Sequence, residues 1–82
     1  MEEKFMSKKS VLKKAIAETE KDIDELEKKR NRSQSAILED YLNNKRPTTA
    51  DAEYFRTYSQ LIEVERENLR KLKDELEILN IK

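Results

Sequence analysis

The chain has 82 residues, 44% charged and 35% hydrophobic, with no glycine, one proline and no tryptophan, a composition that belongs to long helices and excludes a large core. Lysine plus arginine and aspartate plus glutamate both number 18, so no net basic excess draws the chain to nucleic acid or to an anionic membrane. Having neither histidine nor cysteine, it lacks the commonest general base, nucleophile and metal ligands, and it forms no disulfide.

The first residues, 1–6, read as a lead-in with two apolar side chains, Phe5 and Met6, that nothing in the pattern fixes. Residues 1–10 hold no apolar stretch of signal-peptide length, and no run approaches the roughly 20 apolar residues of a membrane span. With no cysteine to oxidise, the expected location is cytoplasmic.

Ser7 or Ser10 is placed to cap a first helix. From Leu12 the spacing alternates four and three through Ile16, Thr19, Ile23, Leu26, Arg30, Ser33 and Ile37. That is a heptad seam with Ile16, Ile23, Arg30 and Ile37 at a, weakened by Thr19, Arg30 and Ser33. Beyond Ile37 the apolar set widens to Leu38, Tyr41 and Leu42, so the buried face is expected to broaden or rotate there.

The first helix is expected to span about 8–43, followed by a turn at 44–48. Asn43 and Asn44 tolerate the left-handed backbone that ends many helices, and Pro47 disfavours a helical Arg46. Thr48 followed by Asp51 matches a capping box for a second helix over about 49–80, with Asp51 and Glu53 near its positive end.

The second helix carries the stronger seam. Phe55, Tyr58, Ile62, Glu65, Leu69, Leu72, Leu76 and Leu79 again alternate by three and four, and only Glu65 is polar. A helix with one apolar seam needs a partner, and a connector this short joins antiparallel neighbours. If the turn centres between Pro47 and Thr48, Ile37 faces Tyr58, Ser33 faces Ile62, Arg30 faces Glu65, Leu26 faces Leu69, Ile23 faces Leu72 and Ile16 faces Leu79. Every a position then meets a d position, and the only charged residue of each seam meets the other with opposite sign.

The flanking charges agree with that register. Glu27 falls near Arg66 and Glu20 near Lys73. The basic block Lys28, Lys29, Arg30 and Arg32 runs beside Glu63, Glu65 and Glu67, and the acidic block Asp22, Asp24 and Glu25 runs beside Arg70, Lys71 and Lys73. Arg30 and Glu65 are the expected register-setting pair, as polar seam residues are in coiled coils. One continuous helix through Pro47, paired between two chains, satisfies the same seams and is the main alternative.

The expected fold class is therefore all-α: a single domain formed by a two-helix antiparallel coiled-coil hairpin, completed to a bundle by self-association or by a partner helix. The apolar residues off the seam point the same way. Tyr54 and Leu61 occupy g positions, Ala36 lies opposite Leu61, and Leu38, Tyr41, Leu42 and Tyr58 surround the same end. These seven, Ala36, Leu38, Tyr41, Leu42, Tyr54, Tyr58 and Leu61, form the candidate partner-binding set.

No catalytic, cofactor or metal site is expected. Carboxylate pairs such as Glu18 and Asp22 read as a solvated charged face, Ser33 and Ser35 have no base nearby, and no glycine loop can cradle a phosphate. The expected function is a non-enzymatic protein–protein interaction module, a small adaptor or chaperone-like protein acting as a homodimer or in a hetero-complex. A nucleic-acid-associated protein using the Lys8, Lys9, Lys13, Lys14 patch, the Lys28, Lys29, Arg30, Arg32 patch and Lys45 and Arg46 at the turn, and a purely structural homo-oligomer, are the alternatives. Over residues 35–70 the turn with Asn44, Lys45 and Pro47, then tyrosine and the run Gln60, Leu61, Ile62, Glu63, resembles the small helical-hairpin co-chaperones of type III secretion needle subunits. That resemblance implies binding to a partner chaperone and to a needle protein in the cytoplasm. Small phage-encoded inhibitors and stand-alone coiled-coil adaptors fit the same outline.

Overall fold

A computed structural model describes residues 7–81 as two long helices, α1 (Lys8–Leu42) and α2 (Thr49–Ile81), packed against each other as a hairpin. The lead-in expected over 1–6, with Phe5 and Met6, lies outside the described residues. At about 1.5 Å per residue each helix is on the order of 50 Å long. The hairpin measures 59 × 26 × 15 Å, the form of a rod two helices wide.

Local signals set the ends. Ser7 caps α1 in an extended conformation, its side-chain oxygen accepting the Ser10 N–H at 3.1 Å. Asn43 is the C-cap, and Asn44 takes the left-handed backbone with φ 58°. Asn44 N–H donates to the Tyr41 carbonyl at 3.1 Å and Lys45 N–H to the Asp40 carbonyl at 2.7 Å. This pair of bonds is the Schellman arrangement, which satisfies carbonyls the helix would otherwise leave open. Thr48 Oγ1 then accepts the Asp51 N–H at 3.1 Å, which forms one half of the expected capping box and starts α2. The chain thus breaks at the asparagines and Pro47, and a single helix through the proline is ruled out.

The expected seam is the buried face. Every seam position from Leu12 to Ile37 on α1 and from Phe55 to Leu79 on α2 is buried or half-buried. Among the described residues Leu12, Ile23 and Ile62 are the buried apolar side chains, and Ile62 is the most enclosed at 1% exposure. Ser33, which the register places opposite Ile62, is itself 8% exposed, so the small residue is where the seam closes most tightly. Thr19 needs no partner across the seam because its hydroxyl donates to the Ala15 carbonyl at 2.8 Å. Fully burying a side chain such as Ile62 contributes about 1.5–3 kcal/mol, so a core of this size leaves the hairpin thinly stabilised.

Among the described residues, ion pairs cross between the helices at Glu27 with Arg66 and at Glu20 with Lys73, the latter at 3.5 Å. Moving seven residues back along α1 moves the partner seven residues forward along α2. The helices are therefore antiparallel, in the register read from the turn.

A candidate helix-docking flank

The two cross-helix pairs define one edge of the rod. Glu20, Glu27, Arg66 and Lys73 all occupy e positions, so this edge is the e flank and the opposite edge carries the g positions. Beside the turn, the e flank holds an open groove of about 470 Å³ bordered by Ile37, Tyr41, Pro47, Ala52 and Phe55. On the g flank a smaller groove of about 330 Å³ is bordered by Asp22, Glu25, Leu26, Lys29, Leu61 and Glu65.

The candidate partner-binding residues consequently divide. Ala36, Tyr54 and Leu61 lie on the g flank. Tyr41 borders the e-flank groove, with Leu38 exposed on the same side one helical step further out. Leu42, 84% exposed, occupies the outer face of α1 at its last residue. Tyr58 is a half-buried seam residue, and Tyr54 stacks on it with ring centroids 6.2 Å apart and planes 23° apart. Leu38, Tyr41 and Leu42 are close in sequence, but a helix turns about 100° per residue, which spreads them around α1.

The g flank of α2 extends further than Tyr54 and Leu61. Val64 is 57% exposed and Ile78 is 54% exposed, and both stand at c positions beside the g row. Tyr54, Leu61, Val64 and Ile78 therefore fall on one stripe, interrupted by Asn68, Lys71 and Glu75. Such a stripe on a helix already packed along its main seam is a second apolar edge.

Glu27 with Arg66 and Glu20 with Lys73 pair as expected, and the charges away from the e flank differ from expectation in where they pair. Lys28 meets Asp24 at 3.2 Å one turn back on α1, and Arg70 meets Glu67 and, at 3.0 Å, Asp74 on α2. Outward positions such as Lys28 and Arg70 have a partner three or four residues away on the same helix and pair there. The Arg70 hydrogen bond and charge hold the Glu67 carboxyl below the usual glutamate range, and the same bond raises the Arg70 guanidinium.

Arg30 and Glu65 both sit half-buried on the seam, as expected, but among the described residues no ion pair joins them. The Glu65 carboxylate instead accepts from Asn68 Nδ2 at 3.3 Å. A seam only two helices thick is open at both edges, so a long charged side chain can reach water there.

Among the described residues no helix is long and apolar enough to cross a membrane, and no cluster of three or more acidic side chains is arranged to hold a metal. The chain matches no protein-family model, no curated protein and no solved structure. The likeness of residues 35–70 to the needle-subunit co-chaperones has no counterpart in those comparisons.

Proposed function

We propose that this chain is a non-enzymatic protein–protein interaction module, a small adaptor or chaperone-like hairpin that presents an apolar and aromatic edge to another helix. The observation that supports it is the α2 stripe of Tyr54, Leu61, Val64 and Ile78, each between 44% and 57% exposed. A third helix laid along that stripe turns the two-helix coiled coil into a bundle and removes apolar surface from water at roughly 25 cal/mol per Å². Tyr54, stacked on Tyr58, is pre-ordered for contact and keeps a polar tip.

Four basic side chains outside the Lys8, Lys9, Lys13, Lys14 patch and the turn are paired within the chain. Arg66 and Lys73 are held across the hairpin, and Arg70 and Lys28 along their helices. The test compares the wild-type chain with the Leu61→Glu/Val64→Glu variant in capture from its native lysate, followed by mass spectrometry. A helical partner, or the chain itself, held by the wild type and lost from the variant supports the module. Equal recovery by both, with helicity unchanged by circular dichroism, overturns it.

A further inference from the structure

The α1 half of the g flank has a polarity that suggests what covers it. Over residues 18–32 its g and c positions read Glu18, Asp22 and Glu25, then Lys29 and Arg32, with Ala36 and Glu39 following toward the turn. Three acids followed by two bases is a pattern that complements itself when turned end for end. Asp22, Glu25 and Lys29 border the same open groove as Leu61 and Glu65, so the charged and apolar halves form one surface.

We propose that a second copy of this chain covers the g flank, packed face to face with its turn at the opposite end of the bundle. This rests on the interaction-module reading and names the partner. The two-fold axis passes beside Glu27. It brings Lys29 of the second copy over Glu25 and Arg32 of the second copy over Asp22, and the reverse. Glu27 is level with Asn68 in the hairpin register, so the same axis crosses α2 at Asn68.

That position is fixed by α1 alone, and it sets two contacts on α2. Rotation about it carries Ile78 of the second copy to the gap between Tyr54 and Leu61. It also carries Lys71 of the second copy to the level of Glu65, the seam carboxylate that borders the groove. Among the stripe residues Ile78 gains apolar neighbours, whereas Leu61 of the second copy comes level with Glu75 and Val64 of the second copy lies beside Lys71, whose stems can cover them while their charges reach the edge. A second copy with its turn at the same end instead sets Glu25 against Lys71 but also Glu18 against Glu75, like against like. The end-for-end arrangement is therefore the one that brings no like charges together.

The chain has no cysteine, so single thiols report the contact directly. Asn68→Cys lies on the axis and should form a disulfide-linked dimer on mild oxidation. Glu63→Cys borders the e-flank groove and should stay monomeric on a denaturing gel. Glu25→Lys or Lys29→Glu alone should weaken self-association about tenfold by analytical ultracentrifugation, and the double swap E25K/K29E should restore it. Circular dichroism checks that each variant keeps its helices.

A wild-type chain that stays monomeric at high micromolar concentration overturns the second copy while leaving a foreign partner open to the capture experiment. Cross-linking at Glu63→Cys and not at Asn68→Cys moves the interface to the other flank and overturns the proposal. Asn68→Cys that joins only to Glu25→Cys overturns the end-for-end arrangement.

Discussion

Arg66 reaches across the hairpin to Glu27, pairing an exposed guanidinium on α2 with a half-buried carboxylate on α1. The pair holds two e positions together and, with Glu20 and Lys73, records the register on one edge of the rod. Its side chains are 55% and 33% exposed, so its contribution is that of a surface pair. A double-mutant cycle on Glu27→Ala and Arg66→Ala should give a coupling of about 0.2–1 kcal/mol in thermal melts, shrinking in high salt. A coupling that salt leaves unchanged would mean the pair is shielded from solvent, contrary to this geometry.

Asn44 holds the only positive φ among the described residues, 58°, and carries the turn. Alanine there must adopt a left-handed backbone with a Cβ in the way, so Asn44→Ala should cost about 1 kcal/mol. Asn44→Gly should match or exceed the wild type, because glycine takes that conformation without a clash. Removing the α2 cap with Thr48→Ala should cost about 1 kcal/mol more. Urea denaturation followed by circular dichroism reads all three. Equal stability of Asn44→Ala and Asn44→Gly would show that the turn does not depend on this backbone angle.

The seams, the caps and the turn are legible in the sequence because each is local or periodic. Phe55 through Leu79 need only a count of spacings, and Asn44, Pro47 and Thr48 act on their immediate neighbours. Val64 and Ile78 escape the sequence reading although their signal is present. They lie on the c row beside the g-row Tyr54 and Leu61, and Asn68, Lys71 and Glu75 dilute the stripe. Nearness in sequence groups Leu38, Tyr41 and Leu42 with Tyr54, whereas the helical turn separates them. Charge pairing is the least legible. A residue such as Arg70 has acids at three and four residues along its own helix, and the seam pattern does not say which partner wins.

Glu67 sits with its carboxyl held below the ordinary glutamate range, first by the Arg70 hydrogen bond and then by charge. Its folded value is depressed, so the stabilisation is complete above the ordinary glutamate value and is lost as pH falls through the folded one. Carboxyl NMR titration should show Glu67 releasing its proton at lower pH in the folded chain than in a peptide. In Arg70→Ala the titration should return to the ordinary range. An unchanged titration in that variant would assign the shift to a source other than Arg70.

Arg30 and Glu65 occupy seam positions where an apolar side chain would otherwise sit, yet no ion pair joins them and Glu65 bonds to Asn68. Removing one partner of a joined, desolvated pair costs about 3–5 kcal/mol, because the other charge is stranded. Here no ion pair joins them among the described residues, so the two should act almost independently. Arg30→Leu and Glu65→Leu should each raise the melting temperature by adding half-buried apolar surface, with a coupling below about 1 kcal/mol. The double variant R30L/E65L should be the most stable and the least specific. Its α1 seam would run apolar from Ile23 through Leu26 to the substituted position, and a slip by one heptad would no longer bury a charge against leucine. Light scattering should then show a mixture of masses where the wild type shows one. A coupling of several kcal/mol would mean the two charges do meet in the folded chain. A single unchanged mass in the double variant would remove them from the choice of register and leave it to the turn and to the e-flank pairs.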